Sequence, residues 1–431
     1  MQIYVVRSGD SLYRIAQTYG VSVNEITEAN ELTAGNALVI GQALVIPIVG
    51  QYYWVKQGDT LTTLARQFDT SAQTLASVNG LELNAPLPVG LRLYIPPMPR
   101  RNAEVNAYVD LRGTTVPPAL TESARKAAPY LTYLALSSFQ IQRDGTLKPP
   151  PLDNFRAIAR QYQVAQMMTI TNLENDAFSA ELGQLVLSDS ALQDKLLANI
   201  VQMAKELGFG DVHFDLEFIR PADREAYNSF LRKAVNVIHE AGLTMSTALA
   251  PKTSATQEGA WYTAHDYKAH GEIADFVIIM TYEWGYSGGP PMAVSPIGPV
   301  RSVLEYALTE MPAGKILMGQ NLYGYDWTLP YVAGGAYARA LSPQAAIALA
   351  RTRNAEILYD NDAQAPFFHY WDGNRKEHVV WFEDARSIQA KFNLLKELNL
   401  RGISYWKLGL SFPQNWLLLD DNFNVVKRPS S

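Results

Sequence analysis

Within the run Gly210-Asp211-Val212-His213-Phe214-Asp215-Leu216-Glu217, His213, Asp215 and Glu217 recur at two-residue spacing. If the run is a β-strand, these three side chains share one face, and Val212, Phe214 and Leu216 share the other. Two carboxylates and an imidazole on one buried face cost free energy unless they find partners. Neighbouring carboxylates repel, so one is expected to keep a proton near neutral pH. Glu217, outermost, is placed to be a general acid, with the deeper Asp215 as its supporting carboxylate. Two acids this close cannot straddle a glycosidic bond, so the usual two-carboxylate arrangement is not expected from this pair alone. The competing reading is a hydrogen-bonded polar layer without chemistry.

The elements that must position these groups follow from the pattern on either side. From Glu104 onward, strand-like runs near 105–110, 131–137, 164–170, 211–217, 243–250, 275–282, 315–323 and 402–406 alternate with helical patterns. Pro221 marks a helix start, and Tyr227, Phe230, Leu231, Ala234, Val237 and Ile238 form one apolar stripe. Gly242 stops that helix, and a strand resumes at Leu243. Repeated strand–helix–strand units imply a parallel sheet, and eight of them suggest a (β/α)8 barrel of the TIM type. A doubly wound open sheet is the alternative, but its Gly-rich dinucleotide fingerprint is missing. In a barrel, the polar face of 211–217 would line the axis near the C-terminal end, where such barrels carry catalytic residues. The segment 325–384, rich in aromatics, is expected to form a small α+β insertion between strands 7 and 8 and to wall the cleft.

The front of the chain is a repeat. Residues 3–47 realign on 52–96 at a constant offset of 49, with Gly9-Asp10 on Gly58-Asp59, Asn30 on Asn79 and Gly41 on Gly90. Each module reads strand, helix, helix, strand, and Ser22-Val23-Asn24-Glu25 has capping-box form. Each is small for an independent core, so pairing or ligand binding would assist it. The opening Val-x-x-Gly-Asp-[Ser/Thr]-Leu, the Asn-x-Leu and the closing Gly-x-x-Leu-x-Ile-Pro resemble the LysM module. That resemblance implies binding to N-acetylglucosamine polymers such as peptidoglycan or chitin. The reading divides the chain into 1–48, 51–97, a stiff linker at 98–102 and a barrel over 103–431.

The acid segment resembles glycoside hydrolase family 18, whose fourth-strand motif is Asp-x-x-Asp-x-Asp-x-Glu. Its last two acids match Asp215 and Glu217. Gly210 and His213 stand at the other two places, with Asp211 one residue out of register. The resemblance implies substrate-assisted catalysis by Glu217, Asp215 and Tyr282. The sugar's acetamido oxygen would attack the anomeric carbon while Glu217 protonates the leaving oxygen, and Asp215 would orient the acetamido N–H. His213 is expected to supply the hydrogen bond that the missing inner Asp would give Asp215. Met280-Thr281-Tyr282-Glu283-Trp284 resembles the family's Met-x-Tyr-Asp, with Tyr282 on the acetamido oxygen and Glu283 on the sugar. Trp406 resembles the floor of the −1 subsite, and Met280, Phe218 and Tyr323 join the substrate-binding candidates. Tandem LysM modules and a motif reduced to Asp-x-Glu resemble the cortex-fragment lytic branch of Bacillus-type spores. That branch implies an N-acetylglucosaminidase on peptidoglycan, located in the spore cortex or coat region. A chitinase of the same mechanism and a non-catalytic lectin-like binder are the alternatives.

Composition narrows the partners. The 431 residues carry 36 Lys+Arg and 42 Asp+Glu, a net charge of −6, with no Cys. A mildly acidic chain without a basic cluster is a poor nucleic-acid binder. Zero Cys excludes disulfides and thiol chemistry. No apolar run approaches the ~20 residues that span a bilayer, and the N-terminus lacks signal-peptide form, so no membrane insertion is expected. The six His show no metal spacing, so no metal site is expected. No cofactor and a monomer are expected as well. Gly285-Tyr286-Ser287-Gly288-Gly289 matches a nucleophile elbow literally, but Pro290-Pro291 follows where a helix is required.

Overall fold

The computed structural model describes residues 1–32 and 37–429; part of the first repeat, 33–36, lies outside them. The barrel strands are Arg101–Asp110, Tyr133–Ile141, Ala165–Thr171, Asp211–Asp215, Thr244–Leu249, Phe276–Ile279, Ile316–Asn321 and Gly402–Trp406. Each pairs in parallel with the next, and the eighth pairs with the first, so the sheet closes. The barrel is a filled core: Tyr133, Met167, Phe276, Ile278 and Leu317 pack together inside it. Val212, Phe214 and Leu216 turn outward into the apolar layer beneath the helices. That alternation places the even-numbered residues of the fourth strand against the helical shell and the odd-numbered ones within the barrel.

Strands beneath the cavity end earlier than the periodicity predicts. The fourth stops at Asp215 and the sixth at Ile279, leaving Glu217, Met280 and Tyr282 on loops above the sheet. The hydrophobic alternation continues past the point where neighbouring strands still supply ladder partners. Pro221–Asp223 forms a 3-10 turn before the helix Arg224–Glu240, which buries Tyr227, Phe230, Leu231, Ala234 and Ile238. The insertion is an antiparallel five-stranded sheet with the helix Pro343–Thr352. Residues 285–289 remain a loop, and the next helix begins only at Ile297, so no nucleophile elbow forms.

The two repeats share their internal logic. Asp10 accepts hydrogen bonds from Tyr4 and the Arg7 N–H, as Asp59 does from Tyr53 and the Lys56 N–H. The Asn30 amide ties its helix to the closing strand through Ile26 and Val45, and Asn79 repeats this through Leu75 and Tyr94. The Ser22–Glu25 capping box is present. Tyr19 of the first module stacks on Tyr52 and meets Trp54 edge-on, which joins the modules through an aromatic contact.

The first module is docked on the barrel and its insertion. Ala43 and Val45 belong to the barrel's main apolar cluster. The Ile357 N–H donates to the Ile40 carbonyl, Arg351 to Ala37, Arg386 to Gly41 and Gln344 to Asn30. Gly41 has φ +82, and a Cβ there would lie 1.8 Å from the Ile357 carbonyl oxygen; its counterpart Gly90, at φ +86, has nothing within 4 Å. Gly90→Ala is therefore expected to cost about 1–2 kcal/mol, the strain of the left-handed backbone alone. Gly41→Ala adds a collision that no rotamer relieves. A thermal melt of both variants should show the larger loss for Gly41→Ala, and equal melting temperatures would contradict the docking contact.

Candidate active site

A cavity of about 730 Å³ opens at the C-terminal end of the barrel strands, bordered by Tyr108, Asp215, Glu217, Trp261, Tyr282 and Trp406. Met280, Glu283 and Tyr323 also reach it. Strand ends and the loops that follow them thus bring together residues that the sequence separates by up to about 300 positions. Tyr108 packs edge-on against Trp406, closing the floor between the first and eighth strands.

Glu217 stands beyond the sheet, and its peptide is held by side chains in place of a strand. Asn172 accepts from the Glu217 N–H at 3.0 Å and donates to its carbonyl at 2.9 Å. On the preceding residue, His265 donates through Nε2 to the Leu216 carbonyl at 3.0 Å while its Nδ1 accepts from the Ala250 N–H at 2.7 Å. Both bonds need a neutral ring with one tautomer, and burial pushes this imidazole down to about 4. The carboxyl itself accepts from the Trp261 indole N–H at 2.5 Å.

Burial raises the pKa of Glu217 well above the carboxylate range, and the adjacent Asp215 charge raises it further, against the Trp261 bond. Asp215 is raised by the same desolvation. The pair therefore retains a proton where isolated carboxylates would be ionised. Asp215 Oδ1 is buried and has no hydrogen-bond partner among the described residues.

His213 does not serve Asp215, contrary to the sequence expectation. Its Nε2 meets the Tyr108 hydroxyl at 2.7 Å and its Nδ1 meets the Ser246 hydroxyl at 2.8 Å. Ser246 and Thr244 in turn donate to Asp211, a fully buried carboxyl pushed up to about 7 by desolvation. With Ser246 donating to Asp211, His213 must donate through Nδ1, so Nε2 accepts from Tyr108. Burial holds the His213 ring neutral by pushing it down to about 3. The imidazole thus lies beneath the cavity floor and fixes the Tyr108 hydroxyl. Both ring nitrogens are taken by hydroxyls of other strands, Ser246 on the adjacent fifth and Tyr108 on the first, which strand alternation could not foresee.

Tyr282 lines the cavity, and burial raises its phenol far above the ordinary range, so it stays a hydrogen-bond donor. Glu283, at φ +68, accepts from the hydroxyls of Tyr323 and Tyr325, whose bonds oppose the upward push of burial on its carboxyl. Phe218 is at φ +55 and 43% exposed beside the cavity rather than in its floor. Asn172, His265 and Trp261 escaped the sequence reading. His265 was visible only as a lone histidine, and the other two carried no local signal.

A closed parallel barrel with one carboxyl at the end of its fourth strand and a proton-holding acid just beyond it is an arrangement that suits a glycoside hydrolase. Residues 106–410 match the Glycosyl hydrolases family 18, and the chain belongs to that family. Residues 4–47 and 53–96 each match the LysM domain. The chain is 67% identical to the cortical fragment-lytic enzyme of Bacillus subtilis over 428 residues, 99% of each chain. Among solved structures, it resembles the spore cortex-lytic enzyme SleL of Bacillus megaterium at 56% identity and a TM-score of 0.90, over 99% of both chains. SleL of Bacillus cereus is 50% identical with a TM-score of 0.92, covering 100% of this chain and 99% of that one.

Proposed function

We propose that this enzyme is an N-acetylglucosaminidase that cleaves spore-cortex peptidoglycan fragments by substrate-assisted, retaining hydrolysis. Glu217 gives its proton to the glycosidic oxygen as the C1–O bond breaks. The substrate's own acetamido oxygen bonds to C1, and the electron pair of the broken bond leaves with the protonated sugar. Asp215 orients the acetamido N–H and stabilises the positive charge of the oxazolinium. Tyr282 donates to the acetamido oxygen, Glu283 accepts from a sugar hydroxyl, and Trp406 is the floor beneath the −1 ring. Water then attacks C1 and gives a proton to Glu217 as the base, while the bond from C1 to the acetamido oxygen breaks and its electron pair restores the amide.

The observation that carries this reading is an Asp215 Oδ1 without a partner among the described residues, sharing one cavity with a proton-holding Glu217. An amide N–H would satisfy the one, and a leaving oxygen would take the proton of the other. This scheme also accounts for two acids too close to straddle a bond, because no second nucleophile is needed. Full-length similarity to cortical fragment-lytic enzymes favours cortex over chitin as the polymer and a spore location. The LysM modules would keep the enzyme on the glycan. One chain supplies the whole site, and we read the enzyme as a monomer.

The test is to digest spore-cortex muropeptides and chitin oligomers in parallel and to identify the new reducing ends by mass spectrometry. New N-acetylglucosamine ends from the cortex material alone are expected. Cleavage of chitin alone would overturn the choice of polymer, and cleavage of neither would favour a binding protein.

A further inference from the structure

The Trp261 indole N–H is a donor only, and it points at Glu217 Oε2 from 2.5 Å. An N–H donor is accepted better by the unprotonated oxygen of a carboxyl, so this bond to Oε2 favours the transferable proton on Oε1. Trp261 is also one end of an aromatic surface at the rim of the acid. Its ring stacks on Phe218 with centroids 6.5 Å apart and planes 17° apart, and Phe218 meets Phe178 at 6.4 Å. Trp261 and Phe178 both border the cavity, and Phe218 lies exposed between them. A large aromatic held at φ +55 and exposed to water adds little to the core. Three rings in series suit the apolar face of a pyranose. Trp406, from the eighth strand, stands at another part of the cavity, away from this surface in the order of barrel strands.

We propose that Trp261 positions the general acid, and that Phe178, Phe218 and Trp261 form the surface that receives the departing sugar. This rests on the reading of Glu217 as the acid. The ring whose oxygen takes the Glu217 proton must lie beside that carboxyl; Trp261 touches it, and Phe218 and Phe178 continue the aromatic surface from Trp261. Trp261 therefore joins two tasks: it chooses the oxygen that carries the proton, and it holds the sugar that will accept it.

Two variants test the two parts. Trp261→Phe keeps an aromatic ring and removes the N–H. On cortex muropeptides its kcat should fall about tenfold with little change in KM, the scale of one hydrogen bond to a charged group. Its alkaline pH limb should move upward by about one pH unit, because the lost bond favoured the ionised carboxyl. An unmoved limb in a folded Trp261→Phe protein would overturn the positioning role. Phe218→Ala should lower kcat/KM on cortex muropeptides about fivefold more than on N-acetylglucosaminyl fluoride, which has no departing sugar. An equal loss on both substrates would overturn the sugar surface. Should Glu217→Gln retain turnover, the underlying acid assignment fails instead, so the two failures remain distinct.

Discussion

Glu217→Gln is expected to lower kcat on cortex fragments by roughly 10²–10⁴-fold, the usual worth of a positioned general acid. Glutamine has nearly the same shape, and its amide oxygen can still accept from Trp261 and keep the side chain in place. What it lacks is a proton that can leave at neutral pH. The variant should melt at or above the wild-type temperature. Burial raises the Glu217 pKa above its unfolded value, so the folded state binds the proton more tightly. Ionisation of this group is therefore a growing penalty as pH climbs above the ordinary carboxylate range, and a neutral amide removes it. Turnover and melting measured on the same sample separate lost chemistry from lost structure. An intact melt with full turnover would remove Glu217 from the mechanism.

Asp215→Asn should lower kcat by about 10²–10³-fold, the scale for removing one preorganised electrostatic contact from a water-poor site. The amide keeps the volume and loses the charge that faces the oxazolinium. A second consequence has a definite sign. The Asp215 charge helps to raise the Glu217 pKa, so neutralising it should move the alkaline limb of kcat to lower pH. Trp261→Phe is expected to move the same limb the other way. A pH–rate profile of each variant checks both directions, and an Asp215→Asn limb that stays put would mean the two carboxyls do not share a proton.

Much of this site was legible in residues 210–217. Strand alternation is a local property, so it assigns Asp215 and Glu217 to one face and Val212, Phe214 and Leu216 to the other whatever else the chain does. The same locality makes the repeat readable, because Asp10 and Asp59 close the same turn with partners six or fewer residues away. The end of the fourth strand was not readable. It is set by Asn172, 45 residues distant, which takes over the Glu217 peptide.

The misplaced His213 bond has the same origin. Its ring bonds to Tyr108, 105 residues away in chain order, and Ser246, 33 away, because barrel closure brings one hydroxyl across from the first strand and the other from the adjacent fifth strand. Nor does anything near Gly41 announce that its carbonyl will meet Arg386 across 345 residues, or that the first repeat will pack on the barrel instead of hanging from a linker.

The amino-acid order alone therefore determined the barrel, the repeated modules and the facing of the two acids. Each follows from backbone geometry and hydrophobic periodicity acting over a few residues. Tertiary structure decided which groups clamp the acid, which oxygen carries its proton and which face of the first module is used up. Those outcomes depend on which hydrogen-bonding partner is nearest once distant segments have packed, and no local pattern records that distance.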